Sequence, residues 1–97
     1  MTYADVIKST PVTLVEFFAS WCPHCQRMMP VVASVKKELE GKADVYQFDV
    51  DKNSELADAE NVESYPTFIV YKNGKEVWRS AGEMPGEELL EKVESYL

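Results

Sequence analysis

Apolar positions along this chain follow two rhythms. Met28, Val31, Val32, Val35 and Leu39 recur at i, i+3, i+4, i+7 and i+11, which predicts an amphipathic helix from about Pro23 to Glu40. Pro23 suits its first turn, Pro30 is expected to kink it, and Gly41 is the natural residue just past its end. By contrast, Thr13-Leu14-Val15-Glu16-Phe17-Phe18-Ala19 is almost continuously apolar, β-branched and aromatic, and reads as a central strand covered on both faces. Val45 to Asp51 alternates, with Tyr46, Phe48 and Val50 on one face, and reads as a second strand. Helix between strands makes this stretch a βαβ unit, so the two strands are expected to run parallel.

The flanks are shorter. Met1 to Ser9 reads as a helix with Tyr3, Val6 and Ile7 on one side, ended by Thr10-Pro11. Asn53 to about Glu60 reads as a short helix with Leu56 and Ala59 inward. Thr67 to Tyr71 is a buried strand, Lys72-Asn73-Gly74-Lys75 a hairpin turn, and Glu76 to Ala81 an antiparallel edge strand broken by Gly82. Pro85 to Leu97 closes the chain as a helix with Leu89, Leu90, Val93, Tyr96 and Leu97 on its apolar side. The expected architecture is α/β: a mixed sheet of about four strands, helices on both faces, one domain over residues 1–97.

Composition narrows the function classes. No run of about 18 apolar residues exists, which argues against a membrane span. No charged segment precedes an apolar one at the N-terminus, so the expected location is cytoplasmic, an expectation that a removed leader would change. A formal charge of −7 with no basic cluster argues against a nucleic-acid partner.

The chemistry lies in Trp21-Cys22-Pro23-His24-Cys25, which holds the only two cysteines. They open a helix, where free backbone N–H groups and the macrodipole favour a thiolate. Cys22 reads as the attacking thiol and Cys25 as the resolving one. A bridge across so short a loop would add little stability by entropy. Structural zinc takes four ligands, and only Cys22, Cys25 and His24 are soft candidates, so a metal is not expected. No cofactor is implied.

Taken together, Leu14 to Cys22, Pro30, Asp49-Val50-Asp51, Tyr65-Pro66-Thr67, Lys72-Asn73-Gly74 and Gly82 make the chain resemble the thioredoxin family from about residue 3 to its end. The resemblance implies the thioredoxin fold, here without the family's N-terminal strand. It implies that Cys22 and Cys25 are the redox dithiol and that Pro66 is a cis-proline facing them, where the sequence alone favours trans. It also implies that Glu16 is the buried carboxylate that takes the proton from the resolving thiol. Trp21, Tyr65, Pro66 and Gly82 fall on the implied substrate surface, together with Pro23 and Met84. Trp78 reads as cover for a sheet face.

Two departures matter. The dipeptide between the cysteines is Pro23-His24, which resembles the periplasmic disulfide oxidases rather than thioredoxins, though the chain has no room for the oxidases' helical insertion. His24 is expected to tune Cys22, its bland reading being an exposed loop histidine. The family's lysine beside the buried carboxylate is replaced by Gln47, which should raise the Glu16 pKa. The expected function is thiol–disulfide exchange with protein substrates that carry disulfides or dithiols, as a monomeric reductase recycled by a thioredoxin-reductase-like partner. A more oxidising oxidase or isomerase, or a redox-independent binding module, stand as alternatives.

Overall fold

A computed structural model describes residues 1–97. The elements run α1 (Tyr3–Val6), β1 (Val12–Phe18), α2 (Pro23–Glu38), β2 (Asp44–Asp49), α3 (Ser54–Ala59), β3 (Thr67–Lys72), β4 (Lys75–Ala81) and α4 (Gly86–Glu94). The four strands form one sheet in the order β2-β1-β3-β4. β1 pairs parallel with β2 and antiparallel with β3, and β3 pairs antiparallel with β4.

β1 is central because its sequence is apolar on both faces. Val12 and Leu14 look toward one core, where Met28, Val32, Val35 and Leu39 of the α2 side meet Leu89 and Val93 of α4. Val15, Phe17 and Ala19 look toward the other, with Ile69, Tyr71, Val50, Ala57 and both cysteines. Tyr3 and Ile7 of the N-terminal segment pack on that second core. The hairpin turn places Asn73 at φ 52° and Gly74 at φ 82°. Positive φ at both central residues is the turn that matches strand twist, and it explains Asn-Gly there. The central place of β1, the parallel βαβ pair, the antiparallel hairpin with β4 at the edge and the two-sided cover agree with the sequence reading; the antiparallel pairing of β1 with β3 is new.

The differences are local. α1 is one turn, closed by a capping box between Thr2 and Asp5, rather than a helix reaching Ser9. α2 ends at Glu38 and its cap is Leu39, so Gly41 (φ 78°) turns the chain two residues beyond the cap. In α3 the buried residue is Ala57, with Leu56 half-buried and Ala59 exposed, because so short a helix turns only one narrow side to the sheet. α4 starts at Gly86 and stops at Glu94, which leaves Leu97 54 % exposed. Met84 packs with Trp78 on the α2–α4 side of the sheet, away from the cysteines' core, so it is not part of the predicted apolar patch. Trp78 covers that sheet face as expected, with the Lys92 ammonium over its ring at 5.8 Å.

Candidate active site

β1 delivers the chain to the cysteines and α2 carries it away. The Cys22 N–H donates to the Ala19 carbonyl at 3.1 Å, and the Gln26 side chain donates to the Ser20 carbonyl at 3.0 Å, which closes the turn between strand and helix. Cys22 is the N-cap of α2, with extended backbone (φ −83°, ψ 122°), and Pro23 occupies the first turn, where its missing N–H is harmless. Both cysteines are unbridged thiols. Cys22 is 6 % exposed and Cys25 3 %.

The two sulfurs are electrostatically unlike. The Cys22 thiol is held below its ordinary value, first by the backbone N–H of Cys25 and then by that of His24, with the Arg27 charge adding to them against partial desolvation. Burial pushes the Cys25 thiol up to about 11, and the neighbouring Cys22 and Glu16 charges push the same way. The Ala19 N–H, 3.5 Å from the Cys25 sulfur, opposes that shift without cancelling it. The pair therefore offers one sulfur ready to ionise and one that keeps its proton, as attack followed by resolution requires.

Tyr65-Pro66 is a cis peptide bond, and the Tyr65 carbonyl accepts from the Cys22 thiol at 3.7 Å. Gly82, at φ 94°, donates its N–H to the Pro66 carbonyl at 2.7 Å. Trp21 is 61 % exposed, donates its indole N–H to Asp51 at 2.9 Å, and meets the Tyr65 ring edge-on at 6.1 Å. Of the residues expected on the substrate surface, Trp21 adjoins Cys22 and Tyr65 is bonded to it, Pro66 is buried behind Tyr65, Gly82 is joined to Pro66, and Pro23 is exposed beside the thiol.

Glu16 lies in β1, 2 % exposed, and its only side-chain hydrogen bond accepts from Gln47 at 2.9 Å. Burial raises its pKa, and the neutral amide of Gln47 lowers it only in part. That is the outcome expected when an amide replaces the family's lysine. Its charge adds to the upward push on the Cys25 thiol.

The His24 ring is engaged by the loop after β4 and by Arg27. Its Nδ1 lies 2.7 Å from a Glu83 carboxylate oxygen and 2.9 Å from Arg27 Nη2. His24 reaches Cys22 through its backbone N–H, while its ring is engaged by Glu83. Glu83 had no sequence signal, because it stands 59 positions from His24 and in a loop. No group of three or more His, Cys, Asp and Glu residues is placed to hold a metal ion. No helix is long and apolar enough to cross a membrane.

Comparison with known proteins is consistent throughout. A family model described as Thioredoxin matches residues 2–95. A Staphylococcus aureus thioredoxin is 41% identical over 86 residues, covering 89% of this chain and 83% of that protein. A rice protein named Thioredoxin Y, chloroplastic, is 39% identical over 90 residues, which are 93% of this chain but 54% of the rice protein's length. Among solved structures, a Plasmodium falciparum thioredoxin superposes with a TM-score of 0.87 at 35% identity, covering 98% of this chain and 91% of that one. A Halobacterium salinarum thioredoxin gives 0.88 at 34%, covering 96% and 80%.

Proposed function

The chain belongs to the thioredoxin family of thiol–disulfide oxidoreductases, and we propose that it serves as a reductase of protein disulfides. Cys22 as thiolate attacks a substrate disulfide, forming a mixed disulfide and releasing one substrate thiolate. Cys25 gives its proton to the Glu16 carboxylate, directly or through water, and its sulfur attacks Cys22. The Cys22–Cys25 bond forms, the second substrate thiolate leaves, and two electrons have passed to the substrate. Trp21, Tyr65, Pro66 and Gly82 receive the substrate around the attacking sulfur. A thioredoxin-reductase-like partner returns the dithiol to its reduced form. Such work belongs in a reducing compartment, the cytoplasm for this chain.

The observation that carries the direction is the His24 ring. In an oxidase reading, the histidine stabilises the thiolate and raises the potential. Here its nitrogen is taken by Glu83, 2.7 Å away. The experiment is the equilibrium of the Cys22–Cys25 pair with glutathione, run alongside insulin reduction. A potential near −270 mV, roughly thioredoxin's, supports a reductase, while a value approaching about −120 mV would overturn it in favour of an oxidase.

The role of Glu16 has its own test, because one variant moves two readouts. Its pKa is raised by burial from an ordinary 4.5, so folding favours the protonated form. The stability it lends is complete below the unfolded-chain value and is lost as pH rises through the higher folded value. Glu16→Gln should therefore raise the urea midpoint at about pH 8 while changing little at about pH 4. The same variant should slow release of the mixed disulfide by about tenfold to a hundredfold and leave its formation rate nearly unchanged. Unchanged release would remove Glu16 as the base whatever the stability curve does.

A further inference from the structure

The loop after β4 supplies a charge to the first turns of α2. Its anchor is the Gly82 N–H on the Pro66 carbonyl, which ties the loop to the segment facing Cys22. The next residue, Glu83, receives Arg27 Nε at 3.0 and 3.1 Å and Arg27 Nη2 at 2.7 Å, a bidentate pairing. The same carboxylate lies 2.7 Å from His24 Nδ1, and Arg27 Nη2 lies 2.9 Å from that nitrogen. A single ring nitrogen cannot donate to the carboxylate and accept from the guanidinium together. The 2.7 Å approach to an ionised carboxylate makes Nδ1 the donor to Glu83, in the neutral Nδ1–H tautomer as in the protonated ring. In both cases the positive charge lies against the carboxylate. Arg27, then His24, hold Glu83 down to about 2, so it stays ionised across the working range.

The remaining charged groups near the dithiol lie elsewhere. Asp51 is bonded to Trp21, and the Glu16 charge acts on Cys25. The cation whose charge acts on the Cys22 thiol is Arg27, and Glu83 pairs with it and with the neighbouring His24 ring. We infer that Glu83 is a positioning residue for the dithiol: by pairing with both His24 and Arg27 it neutralises the positive end of the motif, and so keeps Cys22–Cys25 more reducing than a Cys-Pro-His-Cys sequence dictates. The inference deepens the reductase reading and rests on it for its biological sense, but its sign can be measured whichever way electrons flow.

Glu83→Gln is the direct test, since the amide oxygen still accepts from Arg27 while the charge is gone. In this variant Cys22 should titrate at lower pH by thiolate absorbance. The glutathione equilibrium should shift toward the reduced protein by about threefold to fivefold, the scale of one exposed ion pair, or roughly 14 to 21 mV at 29.6 mV per tenfold. The shift should shrink in ~1 M salt. Arg27→Gln combined with Glu83→Gln should reverse most of it. The effect of His24→Gln on the potential should be larger in the Glu83→Gln background than alone, a coupling that loose packing of the loop would not produce. A Cys22 titration that stays put or moves up in Glu83→Gln would overturn the inference. An oxidising potential in the unsubstituted protein would instead overturn the reductase reading, leaving the Glu83 shift to be judged separately.

Discussion

Cys25→Ser yields a protein that attacks a disulfide once and stays attached to it. The reason is the asymmetry of the two sulfurs. Cys22 sits at the helix N-cap with backbone N–H groups lowering its pKa, while Cys25 is buried and held near 11. Serine keeps the size of Cys25 and still accepts from the Ala19 N–H, so the turn should survive and the first attack proceed. The second step has no sulfur to carry it. Turnover without added small thiols should fall by about 10³-fold or more, and intact-mass analysis should show one substrate covalently held through Cys22. Cys22→Ser should lose turnover equally but hold no substrate. If Cys25→Ser turned over normally, or if substrate were trapped on Cys22→Ser instead, the assignment of roles would have to be reversed.

Phe17→Ala is expected to have the largest effect on stability. Phe17 is fully buried in β1 and stacks on Phe48 of β2 at 5.6 Å, with Tyr3 at 6.1 Å. It therefore joins the central strand, an edge strand and the N-terminal turn in one contact. Truncation removes the ring's transfer energy and leaves a cavity that the paired strands around it cannot close. The cost is about 3–5 kcal/mol, a large share of the 5–15 kcal/mol typical of such a domain. The melting temperature should fall by more than about 12 °C. Loss of less than about 1 kcal/mol in denaturant unfolding would mean the ring is not the joint described here.

The parts of the fold legible in the sequence were those where a single rhythm dominates. β1 is apolar through both faces, and α2 repeats at the helical period, so their identity and order followed from pattern alone. Asn73-Gly74 announced its turn because few other residues adopt positive φ at both positions. α3 was misjudged at Ala57 and Ala59 because six residues are too few for a periodicity to be distinguished from its neighbours. Met84 was grouped with the thiol surface implied by the resemblance, whereas the direction of a loop side chain is set by the packing partner, here Trp78's side of the sheet.

The site divided along similar lines. Cys22 and Cys25 were visible from spacing and from the helix they open, and Pro66 and Glu16 from family resemblance. The partners that shape their chemistry were invisible. Asp51 reaches Trp21 across 30 positions, and Glu83 reaches Arg27 across 56. Such contacts depend on how the sheet brings loops together, and no local pattern encodes them. His24 shows what that omits: its identity suggested a tuning role, but what it tunes depends on a carboxylate from another part of the chain.

The strand leading into Cys22 is bonded on both sides, to β2 and to β3, and Val12 to Phe17 are buried throughout. In deuterium oxide, amide protons of this strand should exchange only when the whole molecule opens, whereas the outer edge of β2 and the short helix α3 open alone. Cys25 lies outside that strand, in the first turn of α2, so its access to a thiol reagent is set by the opening of that helix end instead. The slowest of the β1 amides, followed over hours, becomes a clock for the stability of the entire sheet.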